Sequence, residues 1–440
     1  MSFKQLRFAN WRQFSQVEID FHPNLTIITG ANGAGKSTIL NILGQIIGAH
    51  RPYLGVPTKE GGTRKFVSSI FSVPSRLLDW LRPKTDPNWS NIGMLTYENG
   101  TQCELQVPTQ GQQSYSLNIA SQQHVNGFLM PSHRMMANYQ PVPNLAFGGI
   151  DPQIAFGRLI GEAYSVFNGG HTGYSVLFRL KELLSNWANS GEGNSIIEED
   201  VAQKLAYKGF LEVLKKVLPG DLGFKGLKIL PPDIVIETES GDFLIDALSG
   251  GLTAIIEMAA LIYTRSLCAD VADGRFVVTM DEPENHLHPA IQRTILTNFV
   301  RTFPRVQFIV ATHSPFIVTS SKDSHVYALQ YENVEIVDER WDSSSPTAPN
   351  QGSSQRAKRV KCLSLASGGL SGSPSEILRD ILGVPVTMPL WVEDSLEIIV
   401  GNYRDRPFDE ETIADFKRDI EAAGLSKLFP EALLHLGRTN

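Results

Sequence analysis

Three short apolar runs open the chain. Residues 3–8, 16–20 and 24–29 (Phe-Lys-Gln-Leu-Arg-Phe, Gln-Val-Glu-Ile-Asp and Asn-Leu-Thr-Ile-Ile-Thr) read as strands, and the third leads at once into a glycine-rich turn and an apolar helical run from Lys36. A strand, loop and helix unit is predicted there. Between about 66 and 130, β-like runs near Ile92–Tyr97, Cys103–Val107 and Ser116–Ile119 alternate with Gly, Asn and Gln turns, which predicts a small antiparallel hairpin region. From about 152 to 218 the apolar spacing turns helical, as in Phe156, Leu159, Ile160 and Ala163, and again in Leu177, Leu180, Leu183, Leu184 and Trp187. Residues 274–282 and 305–312 are continuous apolar runs, as expected of strands covered on both faces of a parallel sheet, with a crossover helix over about 289–302.

The polar stretch 342–356 is low in complexity and reads as a linker, and Ser373-Pro374-Ser375-Glu376 beyond it has the form of a helix-capping box with proline at the first helical position. The expected divisions are 1–150 for an N-terminal β-rich lobe, 151–240 for a mainly helical insert and 241–341 for a second α/β part. A linker over 342–372 and a C-terminal helical module over 373–440 follow. There is no internal repeat and no sustained heptad pattern.

With 440 residues, 42% of them hydrophobic, and 37 glycines and 25 prolines, the chain has the composition of a folded globular protein and is neither collagen-like nor disordered. Its net charge of −7 means that any nucleic-acid contact must come from local basic patches. Arg356, Lys358, Arg359 and Lys361 form one such cluster, which either contacts phosphate or is simply solvated; Lys204, Lys208, Lys215 and Lys216 fit the wet face of a helix better than a DNA groove. Cys103, Cys268 and Cys362 are odd in number, far apart and without CxxC spacing, which fits a reducing cytoplasm and argues against a disulfide framework or a cysteine zinc site. The longest apolar stretch, Leu252 to Tyr263, is short and carries Glu257, so no membrane span is expected.

The turn Gly30-Ala31-Asn32-Gly33-Ala34-Gly35-Lys36-Ser37 satisfies GxxxxGK(S/T) and stands between a buried strand and a helix. That context suits a phosphate loop, because glycines let successive N–H groups point inward and the helix dipole adds positive potential. Lys36 is expected to neutralise phosphate charge and Ser37 to ligate Mg2+, with Gly30, Asn32, Gly33, Gly35 and Thr38 completing the ATP cradle. The run Phe276–Met280 delivers Asp281 and Glu282 at a strand's C-terminal end, where ligands of open α/β sheets bind. One carboxylate there can hold Mg2+ and the next can polarise an attacking water.

With these two motifs in place, Leu248-Ser249-Gly250-Gly251 resembles the LSGG signature of ABC-type ATPases, and His313 in Ala311-Thr312-His313-Ser314-Pro315 resembles their switch histidine. Asp281-Glu282-Pro283-Glu284-Asn285-His286-Leu287-His288-Pro289 is similar to the DEPExHLHP form of the overcoming-lysogenisation-defect and RecF-like branch. Pro131-Ser132-His133-Arg134 with Tyr139-Gln140-Pro141-Val142 resembles the central segment of Septu, retron-associated and PARIS-type defence ATPases. The likeness is close over about 1–50 and 245–320 and loose elsewhere.

The resemblance implies an α/β fold: an ABC-type P-loop ATPase with a mixed and parallel sheet, a helical insert and a small C-terminal helical module. It further implies that Asp281 serves Mg2+, Glu282 the attacking water and His313 the γ-phosphate. Ser249, Gly250 and Gly251 would meet an ATP held by a second copy, in a head-to-tail homodimer or a higher homo-oligomer. Asn285 to His288 would be the loop crossing that dimer, although its two histidines also admit a metal. Arg134 either approaches nucleotide or an effector, or ties the sheet to the insert.

Within the superfamily, broken glycine-bearing helices argue against the coiled coils of SMC proteins, and the long insert against a transporter subunit. Leu390–Glu397 is similar to the opening of a Toprim nuclease, but Asp394 replaces its glycine and no DxD pair follows, so helix is expected there. The function so implied is a cytoplasmic ATPase that regulates a separate effector, an HNH nuclease or a Toprim-like protein, in bacterial antiphage defence. The alternative is a RecF-like repair ATPase that clamps DNA.

Overall fold

A computed structural model describes residues 1–60, 63–68, 88–134, 138–143, 148–193, 198–271, 273–336, 355–365, 376–378, 390–403, 410–429 and 432–433. The chain divides into two compact units, Met1–Pro374 and Ser375–Asn440.

The first unit is built on one eleven-stranded sheet. In chain order its strands are β1 (Phe3–Trp11), β2 (Phe14–Asp20), β3 (Leu25–Gly30), β4 (Trp89–Tyr97), β5 (Gln102–Pro108), β6 (Asn118–Ala120), β7 (Gly127–Met130), β8 (Val277–Asp281), β9 (Gln307–Thr312), β10 (His325–Ile336) and β11 (Gln355–Leu365). Their spatial order is β6-β5-β4-β1-β2-β11-β10-β3-β9-β8-β7. The five strands from β10 to β7 are parallel, whereas β1, β2, β4, β5 and β6 pair antiparallel. Every residue of β3 and β9 is buried, which accounts for their unbroken apolar sequences.

Helix α1 (Lys36–Ile46) leaves the glycine-rich turn with Ile39, Leu40, Ile42, Leu43 and Ile46 buried against the sheet. The insert contributes α2 (Pro152–Phe167), capped by Asp151 with proline in its first turn, α3 (Val176–Glu192), capped by Ser175, and α4 (Val201–Val217), capped by Asp200. These three pack on α5 (Gly250–Ser266), whose residues Gly251 and Thr253–Arg265 are all buried. A helix enclosed in this way needs apolar residues all round, which is why 252–263 reads as one hydrophobic run. The short helix α6 (Ile295–Thr302) follows a separate turn at Pro289–Gln292.

Three sequence expectations change. The linker expected over 342–372 contains β11, which lies inside the sheet between β2 and β10. Its basic residues disguised it: Lys358 and Lys361 are exposed, but Arg359 is buried and donates from Nη1 to Asn10 Oδ1 at 3.1 Å and from Nη2 to the Phe14 carbonyl at 3.0 Å. The low-complexity stretch 342–354 and residues 366–372 lie outside the described residues. Likewise, the insert is not helical throughout, since 224–230, 233–238 and 243–244 form a separate three-stranded sheet. Finally, the hairpins expected near 92–119 belong mostly to the main sheet, because membership is set by the pairing of β4 with β1, which strand periodicity cannot reveal.

The second unit holds α7 (Leu390–Tyr403) and α8 (Glu410–Ala422), closed around Val392, Leu396, Val400, Phe416 and Ile420, with the Tyr403 hydroxyl donating to Asp419 at 2.6 Å. The resemblance to a Toprim opening thus falls on a helix. Of the expected capping box only Glu376 is described.

Candidate active site

The glycine-rich turn joins β3 to α1, and its conformation depends on glycine. Gly35 has φ +102°, and a Cβ there would stand 2.3 Å from Cζ of Phe14. An L-side chain would therefore meet both backbone strain and a buried ring. Lys36, almost fully buried, donates from Nζ to the carbonyls of Gly30 at 2.9 Å and Ala31 at 3.3 Å. Burial lowers its pKa, opposed by the nearby carboxylates of Glu282, Asp281 and Glu284. Asn32, Gly33 and Ser37 are exposed at the mouth of the turn.

Opposite the turn, β8 ends at Asp281. Burial raises this carboxyl, a hydrogen bond with Ser37 opposes the rise, and Glu282 adds to it. Its Oδ1 is buried without a hydrogen-bond partner. Ser37, Thr38 and Asp281 line one cleft of about 600 Å³, edged by Arg12, Asn41 and Ser132.

Glu282 takes φ +49°, uncommon for a residue with a side chain, and is held there from several sides. Its N–H donates to Ala311 of β9 at 2.8 Å, Asn285 Nδ2 donates to its Oε2 at 3.2 Å, and His313 Nδ1 lies 3.2 Å from its Oε1. Glu284, two residues on, is buried. Its Oε1 accepts from Thr312 Oγ1 at 2.5 Å and from the backbone N–H of His313 at 3.1 Å. Glu284 therefore grips the turn that carries the histidine. Asn285 Nδ2 also donates to the Ser132 carbonyl at 3.3 Å, tying this loop to the segment after β7.

Ser249, Gly250 and Gly251 stand apart from the cleft. Ser249 caps α5 through a weak 3.5 Å contact from Leu252 N to its Oγ, and both Ser249 and Gly250 are exposed. Gly251 is buried, and a Cβ on it would come within 2.7 Å of the His286 carbonyl, so the start of α5 abuts the loop after β8. The approach to this turn is pinned to the insert by Lys181 of α3, whose Nζ is 2.6 Å from Asp246 Oδ2 in a fully buried ion pair.

The structure thus brings Lys36, Ser37, Thr38, Asp281, Glu282 and His313 together and leaves Ser249 and Gly250 outside. Sequence reasoning left Glu284 without a role, although the second acidic residue of Asp-Glu-Pro-Glu was a usable signal. The role of Glu257 was also missed, and a lone acid in an apolar helix could have revealed it. Arg134, half-buried after β7, donates from Nη2 to Met258 Sδ of α5 at 3.5 Å. Among the described residues no helix is long and apolar enough to cross a membrane, and no group of three or more His, Cys, Asp or Glu side chains is arranged around a metal position. Mg2+ does not need such a cage when phosphates supply most ligands.

Residues 5–87 match a family described as "AAA domain", and residues 248–319 match one described as "AAA domain, putative AbiEii toxin, Type IV TA system". The chain is 26% identical over 179 residues to a retron Vc95 probable ATPase of Vibrio cholerae serotype O1 biovar El Tor, covering 40% of this chain and 32% of that protein. It is 24% identical over 203 residues to the Septu protein PtuA of Bacillus thuringiensis, covering 44% and 45% of the two chains. A 43-residue stretch, 10% of this chain and 12% of that protein, is 42% identical to the DNA replication and repair protein RecF of Lactococcus lactis subsp. cremoris. The chain thus spans less than half the length of these curated relatives. Among solved structures, an SMC head bound to the C-terminal winged-helix domain of ScpA aligns over 84% of this chain and 99% of that one, at 16% identity and a TM-score of 0.41. The glycine-rich turn, the carboxylate-ended strand and the two segments matching AAA-domain families make this chain similar to α/β P-loop ATPases, retron and Septu ATPases among them.

Proposed function

We propose that two copies of this chain bind two ATP molecules head to tail, and that hydrolysis switches a separate effector, an HNH nuclease or a Toprim-like protein, in bacterial antiphage defence. One observation carries the head-to-tail part: Ser249 and Gly250 are exposed at a helix start and do not line the chain's own cleft. Hydrogen-bond donors at a helix N-terminus suit a phosphate, and in this reading the second copy delivers it. The defence role rests on the retron and Septu relatives, and so does the partner effector.

In this reading the amides from Gly30 to Gly35 cradle the phosphates, and Lys36 Nζ exchanges the Gly30 and Ala31 carbonyls for phosphate oxygens. The partnerless Oδ1 of Asp281 beside Ser37 fits Mg2+, which when bound supplies charge neutralisation on the phosphates. Glu282 orients the attacking water and accepts its proton, with Asn285 fixing one carboxylate oxygen. His313, held by Glu284 through its backbone N–H, is positioned to meet the γ-phosphate.

Light scattering on the Glu282→Gln chain tests this. A mass that doubles with ATP and Mg2+, and stays monomeric once Ser249→Arg is added, is expected; a mass indifferent to ATP removes the sandwich. The segment similar to RecF supports a second reading, an ATP-dependent clamp on DNA. That reading requires salt-sensitive duplex binding by the isolated chain.

A further inference from the structure

Three residues before Ser249, Asp246 sits in the single helical turn Ile245–Ala247, and both oxygens of its carboxylate are answered. Lys181 Nζ on insert helix α3 stands 2.6 Å from Oδ2, and the Gln140 backbone N–H donates to Oδ1 at 3.4 Å. The same ammonium donates to the Gln140 carbonyl at 2.6 Å and lies 5.6 Å from the centroid of the Tyr139 ring. The Gln140 side chain carries the contact onward to the approach to α3: its Nε2 donates to the Gly173 carbonyl at 2.9 Å, and its Oε1 accepts from the Ser175 N–H at 3.5 Å. Two residues on, the Val142 N–H donates to the Pro232 carbonyl, in a turn of the separate three-stranded sheet, at 3.0 Å. The Lys181 side chain has no exposed surface and that of Asp246 only 5%. The segment Tyr139–Val142, which does not line the cleft, is thus a clip that joins the insert to the chain leading into Ser249.

A fully buried ammonium tolerates little movement, because its desolvation is offset only while each partner stays within hydrogen-bonding reach. Its partners here are the clip and the turn before Ser249. From Asp246 the path to Ser249 is short: Ile245 is fully buried, the Leu248 N–H donates to the Ile245 carbonyl at 3.4 Å, and Ser249 then caps α5. Ser249 Oγ meets Leu252 N at a weak 3.5 Å, whereas the ion pair upstream is short and enclosed. We propose that Lys181 is a positioning residue for ATP-driven pairing: by fixing Asp246 it sets where Ser249 and Gly250 stand, and so how tightly two copies join. The inference rests on the proposed function, in which those two residues meet an ATP held by the second copy. Lys181 and Asp246 do not line the chain's own cleft, so ATP binding by a single chain should not depend on them.

The test is light scattering with ATP and Mg2+ on the full chain in the Glu282→Gln background, carrying Lys181→Met, Asp246→Asn or both. ATP affinity at dilutions where the chain is monomeric, and thermal melting, are measured alongside. Lys181→Met is expected to weaken ATP-driven pairing at least about tenfold, a loss on the scale of a contact at the centre of an interface, while the single-chain ATP Kd stays within about twofold. The double variant should pair no worse than Lys181→Met alone, since both changes break one junction. A purely structural ion pair behaves differently: its loss lowers the melting temperature and leaves pairing of the folded chain unchanged, and that result overturns the proposal. So does a parallel fall in pairing and ATP affinity, and so do losses that add in the double variant. If Lys181→Met does not fold, Asp246→Asn decides alone: weaker pairing at unchanged ATP Kd supports the role, and unchanged pairing ends it. A Glu282→Gln chain that stays monomeric with ATP defeats the proposed function itself, which separates the two failures.

Discussion

The two halves of the site are made in different ways. The half at Gly30–Thr38 is local: one strand, one turn and one helix, with Gly35 seated where a side chain would strike Phe14 and Lys36 anchored on carbonyls only five and six residues away. The half around Ser249, Arg134 and Glu284 is assembled from distant segments. Lys181 reaches Asp246 across 65 residues, Asn285 reaches Ser132 across 153, and Glu284 holds the turn at His313. The lesson is that, in the proposed scheme, the binding half is built into a continuous stretch, whereas the turnover half depends on contacts between segments far apart in the chain.

Substitutions can break this contrast. The largest effect is expected for Glu282→Gln, which should slow hydrolysis by roughly 10³-fold while ATP binding persists, measured by phosphate release against nucleotide affinity. Lys36→Ala should weaken ATP binding itself on the order of 100-fold in a titration, because a buried charge-assisted contact is lost. If the two phenotypes were exchanged, the division into a binding half and a turnover half would fall.

A third expectation concerns stability. Burial pushes the Glu257 carboxyl up to about 7, with Arg134 opposing the rise. A folded-state pKa above the unfolded value contributes stability that is complete at acid pH and lost as pH rises through about 7. Glu257→Gln should therefore flatten the pH dependence between about 4.5 and 7 and, at pH 8, gain up to about 3 kcal/mol in denaturant melts. The Arg134 charge opposes the rise and sets how much of that gain survives.

The smallest effect is expected for Lys358→Ala with Lys361→Ala, both exposed on β11: within about 0.5 kcal/mol of wild-type stability. If the chain clamps DNA through this strand, the same pair should also lower the salt dependence of duplex binding by about two phosphate contacts.

Much of the molecule was legible beforehand because its signals are short-range. The turn between β3 and α1 and the strands ending at Asp281 and Thr312 announce themselves through apolar runs, glycine spacing and charge at a strand end. The helices of the insert announce themselves through apolar periodicity. Strand β11 was not legible, since its basic residues look like solvated linker until Arg359 is seen buried against Asn10 and Phe14. The role of Glu284 was hidden for a similar reason, because an acid in a motif says nothing of which backbone amide it will accept.

By itself, the sequence determined where phosphate chemistry is housed, because the glycine conformations and the lysine position are properties of a single continuous segment. Tertiary structure alone decided that β11 lies inside the sheet between β2 and β10, that the start of α5 abuts the loop after β8, and that Arg134 and Glu257 line one small cavity. These are outcomes of pairing and packing between segments tens to hundreds of residues apart, and no local spacing encodes them.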